Sequence, residues 1–94
     1  MLATKLSSRK AVCGVIGLGY VGLPLLVRLG RAGYKAVGID ISTERCAQLN
    51  RGESYIGDVS ADEVAELVSV GRLIATNNFS IINELDTINI CVPT

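Results

Sequence analysis

Apolar residues occur along this chain in short runs and stripes whose period changes from segment to segment. The run Ala11–Ile16, ending at Gly17, is apolar throughout, as expected of a strand buried on both faces of a parallel sheet. From Val21 to Ala32 the spacing of Leu25, Leu26 and Leu29 puts apolar side chains on one helix face, with Pro24 tolerable in the first turn and Gly33 as a stop. Lys35–Ile39 predicts a second strand, and Thr43–Asn50 a short helix capped by Ser42. Gly52 to Val59 is rich in turn residues. Ser60-Ala-Asp-Glu63 has the form of a capping box, with Asp62 and Glu63 at the positive end of the following helix. Val64, Leu67 and Val68 give that helix its apolar stripe and Gly71 closes it. Leu73–Thr76 predicts a third strand, Ser80–Glu84 a single helical turn, and Thr87–Val92 a fourth strand before Pro93.

Strands alternating with helices predict an α/β fold with a parallel sheet. Right-handed crossovers then give four strands in the order 3-2-1-4, a partial Rossmann arrangement flanked by helices. Residues 1–10 read as a flexible leader, and 11–94 as one α/β unit.

Length and composition narrow the chemistry. Ninety-four residues make one domain at most. A hydrophobic content of 49% with 19% charged residues excludes disorder. The chain has no histidine, which excludes Ser-His-Asp and Cys-His catalysis and any histidine-ligated metal within it. Nine cations balance nine acids, so a general nucleic-acid binder is disfavoured, since counterion release needs a clustered cationic surface. The balance hides an asymmetry: every charge before Asp40 is a cation (Lys5, Arg9, Lys10, Arg28, Arg31, Lys35), and every acid lies from Asp40 onward. A cationic first half suits an anionic ligand, although Arg28 and Arg31 also fit the negative end of a helix. Cys13, Cys46 and Cys91 include no C-x-x-C pair, and an odd, widely spaced set points to a reducing, cytoplasmic compartment. The uncharged run Ala11 to Val27 has the length of a signal or short membrane segment, but Gly14, Gly17, Gly19, Gly22 and Pro24 break it, so no membrane partner is expected.

The candidate site is Gly17-Leu18-Gly19-Tyr20-Val21-Gly22, a G-x-G-x-x-G that follows the first strand and opens the first helix. In such a motif the first glycine makes the tight turn, the second lets a pyrophosphate approach the backbone, and the third lets helix and strand pack closely. The amides of Tyr20 and Val21 would face phosphate oxygens from a helix N-terminus. Asp40, eighteen positions after Gly22 at the end of the second strand, suits both ribose hydroxyls of an adenosine and would repel a 2′-phosphate, which favours NAD over NADP. Arg45 has three readings: a plane laid over the adenine, a partner for Asp40, or a solvated helix residue.

These residues resemble a family. Val15-Ile-Gly-Leu-Gly-Tyr-Val-Gly-Leu-Pro24, Gly38-Ile-Asp-Ile41 with Arg45, Leu49-Asn-Arg-Gly-Glu-Ser-Tyr-Ile56 and Ile90-Cys-Val-Pro-Thr94 are similar to the amino-terminal end of the UDP-glucose/GDP-mannose dehydrogenases, the nucleotide-sugar 6-dehydrogenases. The Tyr55-Ile56 loop is similar to the N-acetylhexosamine branch, while Gly57 and Asn89 depart from the common pattern. The resemblance implies that residues 11–94 are the first part of an NAD-binding Rossmann domain, whose six-stranded form needs two strands more, and that the enzyme is an NAD-dependent oxidoreductase taking the C6 alcohol of a UDP-sugar to a carboxylate. It also implies cofactor contacts from Tyr20, Val21, Asp40, Arg45 and Thr94. The family's catalytic residues match no position here, so a chain of this extent is expected to be inactive alone. Two alternatives are a stand-alone dinucleotide-binding module and a β-hydroxyacid-type dehydrogenase, although the latter usually has Met-Gly where this chain has Val21-Gly22. A fourth strand at a bare sheet edge predicts self-association.

Overall fold

The structure, a computed structural model, describes residues 11–57 and 59–91. Its elements are β1 (Val12–Ile16), α1 (Gly22–Arg31), β2 (Lys35–Ile39), α2 (Thr43–Asn50), α3 (Ala61–Ser69), β3 (Leu73–Thr76), a 3-10 segment (Phe79–Glu84) and β4 (Thr87–Ile90). All pairings are parallel and the sheet order is β3-β2-β1-β4, as the alternation of elements predicts.

Right-handed crossovers place α1, α2 and α3 on one face of the sheet, because each step from β1 to β3 moves in the same direction. The pleat turns Val15, Ala36, Leu73 and Ala75 toward those helices, where they join Leu18, Leu23, Leu26, Leu49, Val64 and Leu67 in one core. The return from β3 to β4 runs the other way, and among the described residues it is the 3-10 segment and Leu85 that cross that second face. Leu85 lies over Gly14, where any added Cβ would collide with it. On this face Ile74, Ile88 and Ile90 remain exposed.

The helix ends follow the local signals. Ser42 Oγ accepts the Arg45 N–H at 3.2 Å, and Ser60 Oγ accepts the Asp62 N–H at 3.1 Å. The second half of the predicted capping box is replaced: the Glu63 carboxylate reaches across to Arg31 at 3.3 Å, tying α3 to the last turn of α1. All three helices close on a glycine with positive φ, at Gly33, Gly52 and Gly71. At each end the next N–H bonds back to the third-last helical carbonyl (Tyr34 to Leu29, Glu53 to Gln48, Arg72 to Leu67), the paired closure of a Schellman motif.

Several boundaries shift. Ala11 precedes β1, and α1 runs from Gly22 to Arg31 rather than Val21 to Ala32, because Val21 and Ala32 serve as its caps. Its fully buried stripe is Leu23, Leu26, Val27 and Gly30, with Leu25 and Leu29 only partly buried. The single turn at Ser80 is a six-residue 3-10 segment begun by Asn78, whose side chain accepts the Ser80 N–H. β4 ends at Ile90, two residues short of the expected Val92. The leader 1–10, Val92 and Thr94 lie outside the described residues.

Candidate functional site

The carboxyl ends of β1 and β2 open into a cleft of about 510 Å³, lined by all six residues of the glycine motif together with Ile16, Ile39, Asp40, Ile41, Arg45, Phe79 and Cys91. Parallel strands bring this about: β1 and β2 end side by side, with Ile16 opposite Ile39, so the residues that follow them share one rim.

The three motif glycines are required for different reasons. Gly17 sits at φ +92°, and a Cβ there would land on the Cys91 carbonyl oxygen. A Cβ on Gly22 would land on the carbonyl oxygen of Gly17, so the helix can start this close to the strand only with glycine. Gly19 has no such constraint: no atom of the described residues lies within 4 Å of a Cβ built on it. The first and third glycines thus shape the bend, and the second leaves a space open above it. That space meets the requirement of a dinucleotide phosphate, which must approach bare backbone.

Donors surround the same space. Among the described residues, the N–H groups of Gly19, Tyr20 and Val21 have no acceptor in the protein, and Tyr20 is 85% exposed. They lead into α1, whose first turn carries partial positive charge. The N–H of Leu18 is already taken, because it donates to Asp40 Oδ2 at 2.8 Å. The Leu18 side chain is fully buried in the core, so Leu18 lines the cleft by backbone alone.

Asp40 is the one buried charged side chain of the described residues, at 7% exposure. Its Oδ1 accepts the Ser42 N–H at 2.8 Å, its Oδ2 accepts Leu18, and the Arg45 guanidinium lies 3.7 Å from Oδ2. These contacts compensate for the desolvation of the charge. A carboxylate offers about four lone-pair sites, so capacity remains for ligand hydroxyls. Of the readings open for Arg45, the structure shows the pairing with Asp40, and it sets the guanidinium 5.3 Å over the Tyr55 ring while the residue still lines the cleft.

Ile41, Phe79, Cys91 and Tyr55 were not predicted as site residues. Cys91 was legible in principle: Ile90 pairs with Ile16, so the next residues, Cys91 and Gly17, must meet. Phe79 arrives on the 3-10 crossing and has no local signature. The apolar runs around Cys13 and Cys91 suggest core packing for both; Cys13 is buried, but Cys91 is only half-buried and lines the cleft, while Cys46 is buried on α2, where burial pushes its thiol pKa up. Among the described residues no group of histidines, cysteines and acids is disposed to hold a metal.

Comparison with known proteins agrees with this geometry. Residues 11–94 match the UDP-glucose/GDP-mannose dehydrogenase family, NAD binding domain. The UDP-N-acetyl-D-mannosamine dehydrogenase of Methanococcus maripaludis is 39% identical over 88 residues, covering 90% of this chain and 19% of that protein. The UDP-N-acetyl-D-glucosamine 6-dehydrogenase of Pseudomonas aeruginosa is 39% identical over 80 residues, covering 85% of this chain and 18% of its own length. Among solved structures, a ternary complex of GDP-mannose dehydrogenase from Pseudomonas aeruginosa superposes with a TM-score of 0.80 at 30% identity, over 87% of this chain and 19% of that one. The chain therefore spans about a fifth of the length of the relatives it matches. The match excludes the β-hydroxyacid alternative as the lineage. With its strand order, its glycine bend and this match over nearly all of its length, the chain belongs to the UDP-glucose/GDP-mannose dehydrogenase family, as part of that family's NAD-binding domain.

Proposed function

We propose that this chain holds the adenosine diphosphate half of NAD at the ends of β1 and β2, as the opening segment of a nucleotide-sugar 6-dehydrogenase. In this reading the N–H groups of Gly19, Tyr20 and Val21 receive the diphosphate, Asp40 accepts the ribose hydroxyls, and Arg45 borders the adenine end. Thr94, outside the described residues, adds a further contact. When bound, the nicotinamide supplies a hydride acceptor, and two such acceptances take a C6 alcohol to a carboxylate. No residue of this chain is assigned to that chemistry, and we expect the 94-residue chain alone to be inactive. The substrate of the longer enzyme would be a UDP-sugar of the N-acetylhexosamine type, supported by the Tyr55-Ile56 loop and by the relatives that act on such sugars. We place the protein in the cytoplasm, a reducing compartment that suits its free cysteines. No helix among the described residues is long and apolar enough to cross a membrane.

The observation that carries this reading is the position of Asp40, which directly follows β2 and at the same time bonds the glycine bend through Leu18. A carboxylate fixed there would meet a 2′-phosphate with repulsion. Calorimetric titration tests it: the chain binds NAD saturably, and Asp40→Ala weakens NAD by about tenfold or more while changing NADP less. Equal losses for both cofactors would remove Asp40 from the ribose. No saturation at millimolar NAD would overturn the reading as a whole.

A further inference from the structure

Leu18 is held at both ends of its backbone by side chains distant in sequence. Its N–H donates to Asp40 Oδ2 at 2.8 Å, and its carbonyl accepts the Tyr55 hydroxyl at 2.6 Å, across 37 positions of chain. Tyr55 is in turn fixed from two sides. Its ring packs partly buried against the core, and the Arg45 guanidinium covers it at 5.3 Å. Arg45 also contacts Asp40 at 3.7 Å, so Asp40, Leu18, Tyr55 and Arg45 form a closed ring of contacts joining the glycine bend, the end of β2, α2 and the loop after it.

The Leu18 carbonyl and the Gly19 N–H belong to one peptide plane. Among the described residues no peptide is cis, so these two groups point in opposite directions. A hydroxyl that anchors the carbonyl toward Tyr55 therefore turns the Gly19 N–H away from Tyr55 and from the core on which the ring rests. Gly19 is the motif position with open space around it and no acceptor for its N–H among the described residues. Burial pushes the Tyr55 pKa up to about 12, and the nearby Asp40 and Cys46 act in the same direction against Arg45. The hydroxyl thus remains a donor throughout the physiological range.

We propose that Tyr55 is a positioning residue for the cofactor's diphosphate: by holding the Leu18 carbonyl, it aims the Gly19 N–H at the phosphate. It touches neither phosphate nor nicotinamide itself. The inference rests on the NAD reading above, and its test separates the two.

Tyr55→Phe keeps the ring and its contact with Arg45 but removes the hydroxyl. Calorimetry on the 94-residue chain should show ADP and NAD weakened roughly five- to tenfold, the effect of one lost hydrogen bond. Adenosine, which carries no phosphate, should change less than twofold. Parallel losses for adenosine and ADP would mean a merely structural role and overturn the proposal. So would unchanged binding of ADP and NAD by the variant when the unaltered chain binds both. Failure of the unaltered chain to bind NAD would overturn the cofactor reading and this inference with it. A measurement that needs no variant guards against misfolding of Tyr55→Phe. In the unaltered protein the Gly19 amide resonance should shift on titration with ADP and hold nearly still with adenosine, and a Gly19 amide indifferent to ADP would sink the proposal.

Discussion

The two edges of the sheet are finished in opposite ways. On the β3 edge, the last residue of α2 folds back over the strand. Asn50 Nδ2 donates to the Ala75 carbonyl at 2.8 Å, and Asn50 Oδ1 accepts the Ala75 N–H at 2.9 Å. One side-chain amide thus reproduces the two bonds that a neighbouring strand would make there. On the β4 edge nothing of the kind is present among the described residues. Cys91 donates to Ile16, so the alternation of a parallel ladder turns the backbone groups of Ile88 and Ile90 outward, and the Ile90 side chain is 70% exposed. The candidate site is built on the closed side. Asp40, Arg45 and Tyr55 all follow β2, while the residue after β4 contributes the Cys91 carbonyl that crowds Gly17. The half of the sheet that is sealed at its edge is the half that holds these candidate-site groups in place.

The largest expected effect tests whether the halves really differ in packing. Leu26→Ala, at a fully buried position on α1, should cost about 2–5 kcal/mol in urea unfolding. Ile90→Ala removes a comparable side chain from the bare side and should stay within about 0.5 kcal/mol. Similar losses for both would erase the contrast.

A smaller effect tests the seal. Asn50→Ala leaves both outward groups of Ala75 to solvent and should cost about 1 kcal/mol. It should also raise concentration-dependent association in sedimentation, because it opens a second edge. Ile90→Lys should lower association instead, since a charged residue on an exposed strand disfavours edge pairing. A strictly monomeric chain at all concentrations would refute the prediction that β4 pairs with another copy.

A further effect is confined to alkaline pH. The Tyr55 pKa is raised from 10.0 to about 12 in the folded chain. The stability this group contributes is therefore complete below pH 10 and is lost as pH rises from 10 toward 12. Tyr55→Phe should flatten that part of a curve of stability against pH measured by urea unfolding, and a variant curve as steep as the original would remove this hydroxyl as its cause.

The sequence was readable wherever structure is decided within a few residues. The Ser42 cap, the glycine closures at Gly33 and Gly71 and the strand order depend on local chemistry or on the handedness of crossovers, and each is legible from residue types and their spacing. The glycine bend with Asp40 could be located because its spacing is fixed by one βαβ unit. Contacts made across long separations were not legible. Asn50 meets Ala75 25 positions away, Tyr55 meets Leu18 across 37, and Glu63 meets Arg31 across 32. Nothing in their neighbours marks these residues, since each partner is chosen by how the elements dock. The Glu63 case shows the competition directly, because a signal for a local cap is overridden by an arginine that packing brings within reach.

The amide of Asn50 has a geometric consequence beyond stability. An object with two sticky sides can add copies without end and grow into a fibre, whereas one with a single sticky side runs out of valence after one partner. Two copies that join β4 to β4 would be related by a two-fold axis and would present only their asparagine-sealed rims to the outside. If the 94-residue chain pairs through β4, the assembly therefore stops at two copies.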